Sequence, residues 1–129
     1  MYYNRLIEKE IIDSLTAFPV VAILGPRQCG KSTLANHLSK ILSDRKTIYI
    51  DLELPSDLRK LDDSEWFFST NQDKLICVDE IQRKPELFPV IRSLTDKWKG
   101  NGHFLVLGSA SQDLIKQSSE TLAGRISYH

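Results

Sequence analysis

A chain of 129 residues, 41% hydrophobic and 26% charged, has the length and composition of one compact globular domain. Lys and Arg number 17 and Asp and Glu 17, so net charge offers no sign of a nucleic-acid or membrane partner, although it says nothing of local patches. Two cysteines, Cys29 and Cys77, are too few for a disulfide-stapled secreted domain, and the charged N-terminus MYYNRLIEKEIIDSL lacks the apolar core of a signal peptide. No apolar run approaches the roughly 20 residues that span a bilayer. These features predict a cytoplasmic protein with no membrane partner.

Residues 4–17 carry Leu6, Ile7, Ile11, Ile12 and Leu15 at helical spacing, and Phe18-Pro19 ends that helix. Val20 to Leu24 is a short apolar run rich in β-branched residues, closed by Gly25-Pro26, and predicts a buried strand entering a turn. Lys31 to Leu42 returns to helical periodicity through Leu34, Leu38, Ile41 and Leu42. Thr47 to Leu52 predicts a second strand. Residues 56–69 predict an irregular helix whose aromatic cluster, Trp66, Phe67 and Phe68, is expected to dock on the core. Leu75 to Val78 predicts a third strand, and Pro85 to Lys99 a long helix with Pro85 in its first turn. After a turn at Asn101-Gly102 come a fourth strand, Phe104 to Leu107, a last helix, Gln112 to Ala123, and the start of a fifth strand at Arg125 to Tyr128. Apolar strands alternating with helices predict an α/β domain with a parallel sheet covered on both faces, three layers in all, preceded by an N-terminal helix.

The chemistry is concentrated at the ends of these strands. Gly25-Pro26-Arg27-Gln28-Cys29-Gly30-Lys31-Ser32 matches G-x-x-x-x-G-K-[ST], and it lies between a strand and a helix, as a P-loop must. The glycines let the backbone curl until successive N–H groups point at phosphate oxygens, and the following helix adds the positive end of its dipole. Lys31 is expected on the β- and γ-phosphates, the Ser32 hydroxyl on Mg²⁺, and Thr33 on the α-phosphate. The run from Gly25 to Thr33 is therefore the predicted nucleotide-binding segment. Its bland alternative is a Gly-rich turn with an exposed lysine.

A second signal, Leu75-Ile76-Cys77-Val78-Asp79-Glu80, delivers two carboxylates from the end of an apolar strand, 48 residues after Lys31. Ligands of open parallel sheets bind at that end of the strands. Asp79 is expected to hold magnesium through water, and Glu80 to orient and deprotonate an attacking water. By itself the pair reads as a capped strand end; after a P-loop it reads as function. A third strand end, Leu107-Gly108-Ser109-Ala110-Ser111, offers Ser109, with Ser111 second, as a side chain that senses the γ-phosphate; a serine-rich turn is the alternative. His37, His103 and His129 are scattered and show no metal-ligand spacing.

Together, Gly-Pro-Arg-Gln-x-Gly-Lys-Ser, Val-Asp-Glu-Ile-Gln-Arg at 78–83, Leu-Gly-Ser-Ala-Ser and Leu-Ala-Gly-Arg at 122–125 resemble the prokaryotic AAA+ superfamily ATPases of the AAA-14 type. Arg27-Gln28 and Gln82 add to the resemblance, because the generic motifs do not require them. The resemblance implies the ASCE form of the P-loop NTPase fold with strand order 5-1-4-3-2. It also implies a further C-terminal domain, so that residues 1–129 are expected to be a single core domain forming the N-terminal part of a longer protein. It places an arginine at Arg125, where such a residue can stabilise transition-state charge, against the alternative of a structural arginine.

The activity expected from all this is Mg-dependent binding of ATP and its hydrolysis to ADP and phosphate, coupled to a conformational change whose protein or DNA client the sequence does not reveal. A homo-oligomer is compatible with that reading in the full-length protein, and low turnover is expected of the 129 residues alone. The alternatives are a nucleotide-dependent binding module with little hydrolysis and, less favoured by Asp79-Glu80 on its own strand, a small-molecule phosphotransferase.

Overall fold

The computed structural model describes residues 5–25 and 46–129; the expectations for Pro26 to Thr33 and for the helix over 31–42 lie outside the described residues. Five strands, β1 (Val20–Leu24), β2 (Thr47–Asp51), β3 (Leu75–Asp79), β4 (Phe104–Gly108) and β5 (Ile126–Tyr128), form one sheet in the order β2-β3-β4-β1-β5. Every neighbouring pair is parallel. This is the expected 5-1-4-3-2 order read from the other edge.

The sheet divides the core in two. Val20, Ala22, Ile50, Ile76, Val78, Phe104 and Val106 point to one face, and the alternate residues Val21, Ile23, Leu75, Cys77, Leu105 and Leu107 to the other. Period-two alternation with both faces buried is why β1, β3 and β4 read as apolar runs. On the second face lies α1 (Arg5–Ala17), which buries Ile11 and Leu15. The first face is covered by α3 (Ser64–Thr70), α4 (Leu87–Trp98) and α5 (Gln112–Thr121), through Phe68, then Leu87, Phe88, Ile91 and Leu94, then Leu114. Each such side chain contributes about 1.5–3 kcal/mol by leaving water. Phe104, at the centre, meets the Phe68 ring edge-on at 5.1 Å and stacks on Trp98 at 5.8 Å.

Several boundaries differ from the periodicity. The stretch 56–69 is two helices, α2 (Pro55–Lys60) and α3, because Asp63 breaks it by acting as a cap: its carboxylate accepts the Trp66 N–H at 3.2 Å and starts a new helix. The aromatic cluster also separates. Phe68 is fully buried, whereas Trp66, two positions earlier and so on another side of the helix, is 63% exposed. Pro85 precedes α4 in a turn, its carbonyl accepting the Phe88 N–H at 3.1 Å, and Pro89 occupies the helix's first turn instead. The last helix stops at Thr121, where Leu122 is buried and its carbonyl accepts the Arg125 N–H at 2.8 Å, turning the chain into β5. Among the described residues, no helix is long and apolar enough to cross a membrane.

Candidate functional site

Parallel strands end on the same rim, and here the rim gathers three sequence signals. Leu24 of β1 is in register with Gly108 of β4, and the Gly25 N–H donates to the Gly108 carbonyl at 3.0 Å. On the other side of β4, Val78 pairs with Val106, which brings Asp79 and Glu80 level with the end of that strand. Gly25, Asp79-Glu80 and Gly108-Ser109 therefore share one edge of the sheet. With β4 between them, the ends of β1 and β3 are roughly 10 Å apart.

Asp79 is buried at the last position of β3. Its Oδ1 accepts the Glu80 N–H at 2.8 Å, and its Oδ2 accepts the Tyr49 hydroxyl from β2. Two strand positions earlier on the same face, burial and then the Asp79 charge push the Cys77 thiol up to about 12. The donor set that Asp79 and the Ser32 of the sequence motif offer is hard oxygen, which suits magnesium.

Glu80 is 8% exposed and takes the left-handed conformation, φ 60° and ψ 45°, uncommon for a residue with a Cβ. It turns the strand into a 3-10 turn over Ile81–Arg83, with the Glu80 carbonyl accepting the Arg83 N–H at 3.0 Å. Gln82 in that turn donates from Nε2 to Glu80 Oε1 at 2.8 Å, and its Oε1 accepts the Ser109 N–H at 3.4 Å. At the rim, Arg83 Nη2 pairs with Glu53 Oε2 at 3.3 Å, tying this turn to the segment after β2.

Ser109 follows β4 directly and is partly exposed at the rim. Ser111 serves the fold instead, since its hydroxyl accepts the Leu114 N–H at 3.1 Å and caps α5. Arg125 is elsewhere. Its carbonyl accepts the N–H of Val20, the first residue of β1, so it sits at the opposite end of the sheet, roughly 16 Å along the strand from Gly25. Its guanidinium forks onto Asp96, Nε to Oδ1 at 2.6 Å and Nη2 to Oδ2 at 3.0 Å, and Nη1 donates to the Ala123 carbonyl at 2.8 Å. The Arg125 hydrogen bonds hold the exposed Asp96 carboxyl below the usual carboxylate range. Among the described residues, no group of three or more His, Cys, Asp and Glu gathers to hold a metal ion.

Tyr49 and Gln82 are polar side chains at this rim that the generic motifs do not mark. Tyr49 stands in the middle of an apolar strand, and nothing in Thr-Ile-Tyr-Ile-Asp shows that its hydroxyl reaches a neighbouring carboxylate. Gln82 is visible in sequence only as a residue that the generic motifs leave unexplained.

The family model described as an AAA domain matches residues 17–129. Two curated relatives are 44% identical over 108 residues: "Uncharacterized protein Rv2008c" of Mycobacterium tuberculosis and "Uncharacterized protein Mb2031c" of Mycobacterium bovis. The match covers 84% of this chain and 24% of each relative, so the chain spans about a quarter of their length. Among solved structures, the P-loop NTPase domain of the Sigma-54 transport activator from E. coli is similar with a TM-score of 0.63 at 15% identity, covering 99% of this chain and 96% of that one. A DNA replication initiation factor gives 0.56 at 17% identity, with 97% and 45% covered, and C. elegans PCH-2 gives 0.54 at 20%, with 96% and 37% covered. At these identities the likeness is one of fold. With the family model running from the end of α1 to His129, and with this strand order, the chain belongs to the AAA domain family as a P-loop NTPase domain.

Proposed function

We propose that this domain binds ATP with magnesium and hydrolyses it to ADP and phosphate. The observation that carries the reading is the shared rim: the end of β1, where the sequence enters Gly25 to Thr33, stands one strand away from Asp79-Glu80, with Gly108-Ser109 between. In this reading Gly25 and Pro26 lead the chain from β1 into the loop, the backbone N–H groups of Arg27, Gln28, Cys29 and Gly30 cradle phosphate, and Lys31 neutralises charge on the β- and γ-phosphates. Ser32 and Asp79 would hold magnesium, and the bound ion would offset negative charge on the phosphates.

Glu80 accepts the proton of the attacking water as its oxygen bonds to the γ-phosphorus and the bond to the bridging oxygen of ADP breaks. Ser109 senses the γ-phosphate. Since Arg125 stands at the far end of β1 from Gly25, any charge that it offers the transition state reaches the nucleotide of a neighbouring copy, in a homo-oligomer of the longer protein. The coupled conformational change and the protein or DNA client belong to that longer protein.

Two variants test the reading. Lys31→Ala removes a charge-assisted contact of about 1.5–3 kcal/mol and should weaken Mg-ATP binding roughly ten- to a hundredfold in calorimetry. Glu80→Gln keeps the shape, cannot take the proton, and should bind Mg-ATP while losing hydrolysis. Parent-like phosphate release by the Glu80 variant at saturating ATP would remove Glu80 from its role.

A further inference from the structure

The Gln82 side chain spans the gap between the ends of β3 and β4. Its Nε2 donates to Glu80 Oε1 at 2.8 Å, and its Oε1 accepts the N–H of Ser109 at 3.4 Å. The partners fix which way the amide faces: a carboxylate oxygen only accepts and a backbone N–H only donates, so the amide nitrogen must face Glu80 and the oxygen Ser109. Gly108 makes room for this. A Cβ there would lie 2.8 Å from Gln82 Oε1 and 2.9 Å from Ile81 Cγ2. Ile81 is fully buried, which seats the turn against the end of β4, and the left-handed Glu80 aims its side chain back toward that same turn.

We propose that Gln82 is the positioning residue for the catalytic carboxylate: one amide holds Glu80 by its carboxylate and reads the backbone at Ser109, so that a displacement of Ser109 moves Glu80. The proposal rests on the reading of Glu80 as the base. The chemistry required at position 82 is narrow. The side chain must donate at one end and accept at the other across this span. Asn has both groups and is one methylene short. Glu cannot donate and sets a second carboxylate against the first. Lys and Arg have no acceptor, and Met has the length with neither group.

That last difference supplies the test. Gln82→Met, Gln82→Ala, Gln82→Asn and Glu80→Gln are compared with the parent in the natural full-length protein, with phosphate release measured against ATP concentration, Mg-ATP affinity by calorimetry, and melting temperature. The expected result is that Met, Ala and Asn each lower kcat roughly ten- to a hundredfold, as the loss of a hydrogen bond to a charged group does, while KM and the dissociation constant stay within about twofold of the parent. A packing role would instead leave Gln82→Met with the parent's kcat and lower the melting temperature of Gln82→Ala. Parent-like or raised kcat in Gln82→Met, or a loss that falls on KM, overturns the proposal. Hydrolysis by Glu80→Gln at the parent's rate overturns the reading of Glu80, and the proposal with it; abolished hydrolysis in that variant beside parent-like kcat in Gln82→Met overturns the proposal alone.

Discussion

The Tyr49 hydroxyl in β2 donates to Asp79 Oδ2 in β3, although Tyr49's partner in the strand register is Cys77, two residues earlier. The phenol thus leans along the sheet toward the rim and meets a carboxylate that is only 5% exposed. A buried carboxylate that loses a donor bears an added desolvation cost. Tyr49→Phe should therefore lower the unfolding free energy by about 1–3 kcal/mol in urea titrations without nucleotide. An unchanged midpoint would mean that the hydroxyl contributes nothing to holding Asp79. Asp79→Asn should weaken the magnesium dependence of nucleotide binding, read by calorimetry across a magnesium series.

The two cysteines should differ in reactivity. Cys77 lies in mid-strand, buried, with its thiol pushed up to about 12, so the thiolate is scarce at neutral pH. Cys29 stands in the sequence two positions before Lys31 and close to the start of the predicted helix, features that favour thiolate. Mass spectrometry after brief alkylation should show modification at Cys29, protection of it by Mg-ATP, and an unmodified Cys77. Modification mainly at Cys77 would contradict this.

Asp57 gives a pH-dependent term. The Asp51 N–H donates to its Oδ2 at 2.9 Å and Lys60 Nζ to its Oδ1 at 3.0 Å; the backbone bond first, and then Lys60, hold its carboxyl below the ordinary 3.8. A folded value below the unfolded one adds stability that is complete above the ordinary value and is lost as pH falls through the folded value. Solvent screening keeps the term below about 1 kcal/mol. Asp57→Asn should melt slightly below the parent at pH 7, and the gap should narrow as pH falls below 3.8 and through the folded value. A gap that widens in acid would reverse the sign and refute the assignment.

Trp66 and Phe68 lie in the same short helix and should respond to truncation with very different losses of stability. Phe68→Ala empties a fully buried site against Phe104 and should cost about 3–5 kcal/mol. Trp66→Ala, at a 63% exposed position, should stay within about 0.5 kcal/mol of the parent. Denaturant midpoints of the two variants decide it, and a large loss at Trp66 would place that ring in a packed environment.

Strand existence was most legible where both faces are buried, in β1, β3 and β4, which turns each into an apolar run that no amphipathic helix imitates; their order was implied by the family resemblance and not by the runs. The acidic pair was legible as well, since Asp79-Glu80 ends such a run. Interactions between neighbouring strand ends were not. The Tyr49 hydroxyl on Asp79, the Gln82 amide on Glu80 and the fork from Arg125 to Asp96 each depend on how the chain folds back at a strand end, and only the structure says that these groups meet. The break at Asp63 escaped periodicity for a different reason: a carboxylate that caps the next helix has the same composition as one on a solvated helix face.

The position of β4 between β1 and β3 has a consequence for how the chain is made. On the ribosome, everything through Gly102 emerges before the strand that joins those two. Until Phe104 to Gly108 leaves the exit tunnel, the β1 and β3 edges that β4 will fill are unpaired, and both are strongly apolar. Such edges are the ordinary starting points of chain-to-chain association. The nascent domain thus depends on late insertion of a central strand over a long sequence separation, a slow step in folding. Premature termination inside α4 would release a polypeptide whose natural fate is a chaperone or a protease rather than a smaller stable fold.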